Sequence, residues 1–385
     1  MKATMKEILR QEVASITADG LYREMRTAAS APAREIVLGG KAYLNFSSNN
    51  YLGLAAHPAV KRAAQAAIES YGAGGTSSRL IAGMLEPHRE LEEKLARFKN
   101  TEAALVFPSG YQANVGVISA LLSGGDCLIM DRLSHASLWD AARLSRARVF
   151  IYPHRDMAAL EKVLRRAKGY RRKLVVTDSV FSMDGDLAPL PAIVALAQTH
   201  GAWTMIDEAH ATGIFGENGR GLAEHYGFEN NIDIIMGTLS KALGSQGGFV
   251  CGARETIQYM VNRSRSFIYT TALAPACAAG ALAAIGVAEA EPARRQKALS
   301  LAGELRGRLR AVGFNTLSSE SQIVPLLVGP TTETVSLSAK LWRDGIYAPP
   351  IRPPTVPDGE CRLRFSLTAD HTADDIARLI ESITT

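Results

Sequence analysis

Between about residues 100 and 250 this chain alternates short apolar runs with segments of helical length, and no other feature limits its fold as strongly. Ala103–Phe107, Cys127–Met130, Val149–Tyr152, Leu174–Thr177 and Trp203–Ile206 are four or five residues long, carry no charge and read as strands. Tyr111–Leu122, Ser137–Leu144, Met157–Ala167 and Leu190–Thr199 lie between them and read as helices. A strand that is apolar at every position must be covered on both faces, and strands joined through helices run parallel. The expectation is an α/β fold, a mostly parallel sheet covered by helices.

Helices also flank this region. Pro58 marks a helix start and Gly72 its stop, and a second helix runs from about Pro87 to Phe98. Beyond the sheet, Val287–Val312 reads as one long helix or two short ones, followed by short strands and a closing amphipathic helix near Ala373–Ile383. The chain thus divides into an N-terminal helical or extended segment (1–45), a large α/β domain (46–284) and a smaller C-terminal α+β domain (285–385).

Composition removes other classes. Hydrophobic residues make up 47% and charged residues 21% of the 385, an ordinary globular balance that excludes disordered, collagen-like and coiled-coil chains. No run approaches the roughly 20 apolar residues of a spanning helix, and the N-terminus mixes charge throughout, so neither a membrane segment nor a signal peptide is expected. Cys127, Cys251, Cys277 and Cys361 lie far apart with no CxxC pair. That argues against a zinc knot or a disulfide scaffold, leaves no metal to expect and fits a reducing cytoplasm. The net charge of +5 is interspersed rather than blocked, so no nucleic-acid stripe is expected. Asp207–His210 spells DEAH, a helicase signature, but the GxxxxGK[ST] phosphate loop that helicase chemistry needs is absent. Gly72-Ala73-Gly74-Gly75 follows a helix rather than a strand and lacks a third glycine at Ser77, so it is no dinucleotide loop.

Three segments at the carboxyl ends of predicted strands, where open α/β sheets place ligands, carry chemistry. Phe107-Pro108-Ser109-Gly110-Tyr111 turns from strand into helix. The free N–H groups and positive dipole end of a helix start suit a phosphate, although Ser109 alone reads equally as a helix cap. Trp203–Ile206 ends in Asp207, with His210 three residues on. These are a carboxylate for a protonated ring nitrogen and an imidazole that reaches the same ring, or a loop-capping Asp beside a satisfied His. Gly237-Thr238-Leu239-Ser240-Lys241 follows the strand Ile232–Met236 and sets one lysine among small and apolar residues. Most lysines only solvate a surface. A desolvated amine, however, has a lowered pKa, and the neutral amine condenses with an aldehyde. Thr238 and Ser240 offer hydroxyls to a nearby phosphate. A helix start for a phosphate, an acid for a pyridinium and a lysine for a Schiff base are together what pyridoxal phosphate (PLP) requires.

Six stretches in order make the resemblance specific: LNFSSNNYLGL (44–54), DRLSHAS (131–137), DSVFSMDGDLAPL (178–190), IDEAHATGIFG (206–216), GTLSKALGSQGG (237–248) and IRPPTVP (351–357). With them the chain resembles the α-oxoamine synthases, PLP-dependent transferases of fold type I that condense an amino acid with an acyl-CoA. The resemblance implies that Lys241 holds the cofactor and carries the proton, that Asp207 pairs with the pyridine nitrogen and that His135 stacks on the ring. It implies that His210 bonds the ring oxygen with Ser179 in support, and that Gly110, Tyr111 and Thr238 bind the phosphate. Thr270 and Thr271 resemble a pair given to the site by a second subunit, so a homodimer with shared sites is implied. Arg352 resembles the arginine that clamps the amino acid's carboxylate, with Asn49, Arg23 and Thr355 as further substrate contacts. Within the family, IRPPTVPDGECRLR (351–364) resembles the biotin-forming branch, which joins L-alanine to a pimeloyl thioester on CoA or acyl carrier protein. Thr76 is more typical of members that use glycine and a different acyl-CoA.

Overall fold

The computed structural model describes residues 3–385. Its largest layer is a seven-stranded sheet of β1 (Ala103–Phe107), β2 (Cys127–Asp131), β3 (Arg148–Tyr152), β4 (Lys173–Asp178), β5 (Trp203–Asp207), β6 (Ile234–Thr238) and β7 (Gly248–Gly252). The spatial order is β1–β7–β6–β5–β4–β2–β3. Neighbours among β2 to β6 pair in parallel, and β7 alone runs against both of its neighbours. Every residue of β2 and β6 is buried, because helices cover both faces. Successive side chains alternate between two cores: Met205 packs with Leu105, Phe107 and Met130, whereas Ile206 packs with Leu95, Ile235 and Ala281.

The five apolar runs become strands within a residue of their expected ends, and the helices between them form at Gly110–Leu121, Ala136–Ser145, Met157–Arg166 and Leu190–Thr199. The strand β7 is an addition to that expectation. Its sequence, GFVCG, is bounded by glycines and too short for a pattern to show. Val287–Val312 resolves into parts of two helices, Pro275–Ala290 and Ala293–Ala311, bent by 75° at the break. The first of them runs across residue 285, the expected domain boundary, and packs on the helices Pro58–Tyr71 and Glu86–Phe98. No single helix among the described residues is long and apolar enough to cross a membrane.

The smaller unit has a three-stranded antiparallel sheet in the order Ile323–Gly329, Cys361–Ser366, Pro350–Ile351. The early strand Lys41–Asn45 pairs in parallel with Ile346–Tyr347, so the N-terminal segment is stitched into this unit. Leu44 and Phe46 share its core with Leu305, Val324, Phe365 and Ile376. Cys361–Ser366 thereby lies against the carboxyl end of the large sheet, which delivers Arg364 there.

Candidate active site

Loops leaving β1, β2, β5 and β6 converge on a cavity of about 240 Å3. At one end is the helix starting at Gly110, whose first N–H groups have no intrahelical partner; Ser109 caps it by accepting from Gln112 N at 3.2 Å. The Thr238 and Ser240 hydroxyls, 2.7 Å apart, face the same end. This cradle closes tightly because β7 begins with glycine. A Cβ on Gly248 would lie 2.6 Å from both N and Cα of Gly110.

At the other end the Asp207 carboxylate is buried and held on both oxygens. The Asn114 amide donates to Oδ2 at 2.8 Å, and Ala209 N donates to Oδ1 at 2.9 Å. The Asn114 amide also donates to Ser137 Oγ (2.9 Å), which lies 2.8 Å from His135 Nδ1, so a hydrogen-bonded chain links Asp207 to His135. The His135 N–H donates to Asp178 Oδ2 at 3.0 Å. Burial, and then the charge of Asp207, push the Asp178 carboxyl well above the usual carboxylate range.

Between the two ends stands Lys241. Burial pulls its amine from the ordinary 10.5 down to about 8, with Asp207 opposing and Arg364 assisting. Its Nζ lies 2.9 Å from His210 Nε2, and His210 Nδ1 lies 2.7 Å from the Tyr51 hydroxyl. Burial first, then the nearby Lys241 charge, hold His210 well below its usual value, so the imidazole is neutral at pH 7. The Tyr51 ring carries this chain outward: its hydroxyl accepts from Arg364 at 3.2 Å and donates to Asn49 Oδ1 at 3.0 Å.

His135, His210 and Lys241 also line a second, outer chamber of about 610 Å3 that reaches Arg132, Trp139, Phe181, Thr355 and Arg364. Both terminal nitrogens of Arg364 donate to Asn49 Oδ1 at 3.2 Å, which fixes a buried guanidinium within this chamber.

A family model, aminotransferase class I and II, matches residues 41–383. The chain belongs to that family. Among relatives, it is 49% identical to an 8-amino-7-oxononanoate synthase of Geobacter sulfurreducens, covering 98% of this chain and 97% of the relative. It is 45% identical to one of Lysinibacillus sphaericus, with the same coverages. Among solved structures, a serine palmitoyltransferase from S. paucimobilis with a bound PLP–myriocin aldimine superposes with a TM-score of 0.93 at 33% identity, covering 99% of this chain and 98% of that one. An 8-amino-7-oxononanoate synthase of Francisella tularensis superposes at 0.77 with 27% identity, covering 89% and 96%. The chain is a fold-type-I, PLP-dependent enzyme of the α-oxoamine synthase type.

The cavity fits the family's cofactor. It offers a helix start and two hydroxyls for a phosphate, a fixed carboxylate for a ring nitrogen, and a desolvated amine between them. Asn114 Oδ1 is buried with no partner, so the amide that steadies Asp207 retains one open acceptor.

Lys241, Asp207, His135, His210, Gly110, Tyr111 and Thr238 all line this cavity. Ser179 stands behind it instead, with its hydroxyl donating to the Asp207 carbonyl at 3.0 Å, where it braces the backbone of β5. Asn49 and Thr355 line the outer chamber. Arg352 and Arg23 line neither space. Arg352 donates to the carbonyls of Gly20 and Tyr22, and Arg23 returns a bond to the Pro353 carbonyl at 3.0 Å, which ties the N-terminal segment to the loop after Ile351. The guanidinium in the chamber belongs to Arg364. Thr270 accepts from Gln112 Nε2 at 3.2 Å and Thr271 bridges to Ser78; neither lines either of these two chambers. Arg364, Asn114, Ser137, Asp178 and Tyr51 had escaped sequence reading. The one available signal for Arg364 was its place in CRLRFS, where arginine alternates with apolar residues as on a solvated strand face.

Proposed function

We propose that this enzyme condenses L-alanine with a pimeloyl thioester, carried on CoA or acyl carrier protein, to give 8-amino-7-oxononanoate, the free carrier thiol and CO2. The observation that carries this reading is the placement of Lys241 and Arg364 on one chamber wall: a proton carrier and a carboxylate clamp flanking the same space. The identity to relatives named 8-amino-7-oxononanoate synthase supports the choice of substrates.

Pyridoxal phosphate bound at Lys241 supplies an electron sink for negative charge at the amino acid's Cα. Arg364 supplies the positive charge that attracts the carboxylate of L-alanine, and Asn49, Tyr51, Ser182 and Ser366 keep its guanidinium oriented. The Lys241 amine, neutral in a large share of molecules near pH 8, takes the Cα proton. His210 stays neutral and holds Nζ at 2.9 Å without competing for charge. Asp207 keeps the pyridine nitrogen protonated, and the Asn114 bond stops the carboxylate from turning away. The Cα then attacks the thioester carbonyl and the thiolate departs. The carboxylate held by Arg364 leaves as CO2, and Lys241 returns a proton to Cα. His135, which lines the same cavity, would hold the ring and limit the access of water to it.

A homodimer in the cytoplasm is part of this proposal. It gives Thr270 and Thr271, which line neither of the two chambers of their own chain, a place in the neighbour's phosphate cradle. Thr76, the pointer to glycine, has φ +51° and lies on the segment whose Ser78 bridges to Thr271, so in this dimer it too belongs beside the neighbour's site, and the titration of alanine against glycine decides its effect.

The test is a titration of the holoenzyme with L-alanine and glycine, followed by pimeloyl-CoA, with thiol release and product mass as readouts. The expected result is thiol release with L-alanine and a product of the mass of 8-amino-7-oxononanoate. Turnover with glycine alone, or with none of these donors, overturns the named substrates.

A further inference from the structure

The outer chamber holds charges of two kinds. Its carboxylates are matched: Asp184 pairs with Arg362, and Glu360 lies 3.3 Å from the same guanidinium. Two other guanidinium groups face no carboxylate. One is Arg364, engaged by neutral oxygens beside Lys241. The other is Arg132, an exposed residue whose side chain makes no hydrogen bond or ion pair among the described residues. Its neighbour Asp131 cannot neutralise it, because Oδ1 takes Leu133 N at 2.8 Å and His154 at 3.0 Å while Oδ2 takes Arg155 N at 3.0 Å. Those bonds also fix the loop, so Arg132 is presented from a rigid base at the end of β2. The same chamber is lined by the apolar side chains of Leu133, Trp139, Phe181, Met183 and Val356.

Two cations without a carboxylate partner in a chamber that also offers apolar side chains suit a molecule with an anion at each end of a hydrocarbon tether. We propose that Arg132 binds the distal carboxylate of a dicarboxylic acyl chain and so selects it over a chain ending in methyl. This deepens the pimeloyl reading and rests on it. In this proposal the amino acid's carboxylate lies on Arg364, the new carbon–carbon bond forms next to Lys241, and the six-bond acyl chain extends past the apolar side chains of the chamber to Arg132. Arg132 lies three residues from His135, a span of at most about 11 Å of chain, so its base is within reach of an acyl chain of that length. The remaining anions of a CoA donor, its phosphates, compete as the explanation for an unmatched arginine, and the experiment separates the two.

The holoenzyme and its Arg132→Gln and Arg132→Lys variants are assayed with L-alanine and two donors, pimeloyl-CoA and heptanoyl-CoA, which share the carrier and the seven-carbon length. The ratio of kcat/KM for the two donors is expected to fall about tenfold in Arg132→Gln, the loss of one charge-assisted contact at a partly solvated site. Partial recovery of the ratio is expected in Arg132→Lys. Equal losses for both donors assign Arg132 to the carrier's phosphates and overturn the proposal, as does an unchanged ratio. A catalysis-free readout separates this from the substrate assignment: calorimetric binding of pimelate and of heptanoate to the same three proteins. If pimeloyl-CoA is not turned over but pimelate still loses its advantage over heptanoate in Arg132→Gln, the functional reading falls and the role of Arg132 stands. If that advantage is absent in the parent or untouched by the substitution, the role of Arg132 falls.

Discussion

Glu208 lies between Asp207 and His210, yet it serves neither the cofactor nor the substrate. Its carboxylate forms a 2.6 Å ion pair with Lys99, and the two side chains are 0% and 1% exposed. Lys99 also donates to Thr212 Oγ1 at 2.8 Å and to the Arg220 carbonyl, and Glu208 accepts from Ala223 N at 2.9 Å. Lys99→Met keeps the volume and removes the cation, so a carboxylate is left buried without a counter-charge. Breaking one side of such a pair costs about 3–5 kcal/mol. In Lys99→Met/Glu208→Gln the charge is gone, while an acceptor for Ala223 N remains, and most of that loss is expected to return. The assay is equilibrium guanidinium unfolding followed by circular dichroism at saturating PLP, run as a double-mutant cycle. Because the Glu208 N–H bonds the Met236 carbonyl and its carbonyl receives Thr212 N, the turn bearing Asp207 and His210 shares the perturbation. PLP retention is therefore expected to fall with stability in the single variant and to recover in the double. A Lys99→Met protein within 1 kcal/mol of the parent, or a double variant no better than the single, refutes the reasoning.

Three further outcomes are expected. Arg364→Ala removes the cation proposed to hold the amino acid's carboxylate, so KM for L-alanine is expected to rise about 100-fold with little change in PLP content; saturation kinetics and cofactor absorbance check this. Burial lowers the Lys241 amine to about 8, so the unprotonated fraction rises through that pH, and the rate at which the apoenzyme captures PLP should climb to a plateau above it. A stopped-flow pH profile with its midpoint near 10.5 contradicts that picture. Gly248→Ala drives a Cβ into the backbone of Gly110, so PLP is held at least about tenfold more weakly while the circular dichroism of the sheet is retained; equilibrium dialysis decides it.

The parts of this molecule that sequence made legible share one physical property: each is local. A run such as CLIM or LVVT reports its own burial, and a lysine among small residues after a strand reports its own desolvation. Lys241, Asp207, His135 and His210 were therefore visible, and the structure gathers them at one cavity. What stayed hidden depends on partners distant along the chain. Arg364 alternates with leucine and phenylalanine and so looks solvated, yet it is 9% exposed because the smaller unit folds back against the large sheet. Asn114 is a polar residue on a mostly apolar helix, and only the position of Asp207, 93 residues later, gives it a purpose. Arg352 shows the converse. It sits in the matched motif, but the carbonyls of residues 20 and 22 claim its guanidinium. The strand β7 lacked a signal because glycine at both ends breaks the propensity that marks a strand.

That strand sets an order of events during synthesis. When the ribosome has released residue 241, all four side chains central to the chemistry exist, but Ser109–Tyr111 and Thr238–Ser240 are joined by no hydrogen-bonded strand. Only when Gly248–Gly252 slides between β1 and β6, with Gly248 opposite both Phe107 and Thr238, do the two halves of the phosphate cradle become one object. Until then β1 and β6 carry unpaired edges, the surfaces that nascent chains most readily misuse. A ligand that binds only the finished cradle stabilises only the finished sheet. Pyridoxal phosphate that binds only the joined cradle therefore favours the sheet with β7 in place over any form in which β1 and β6 are still apart.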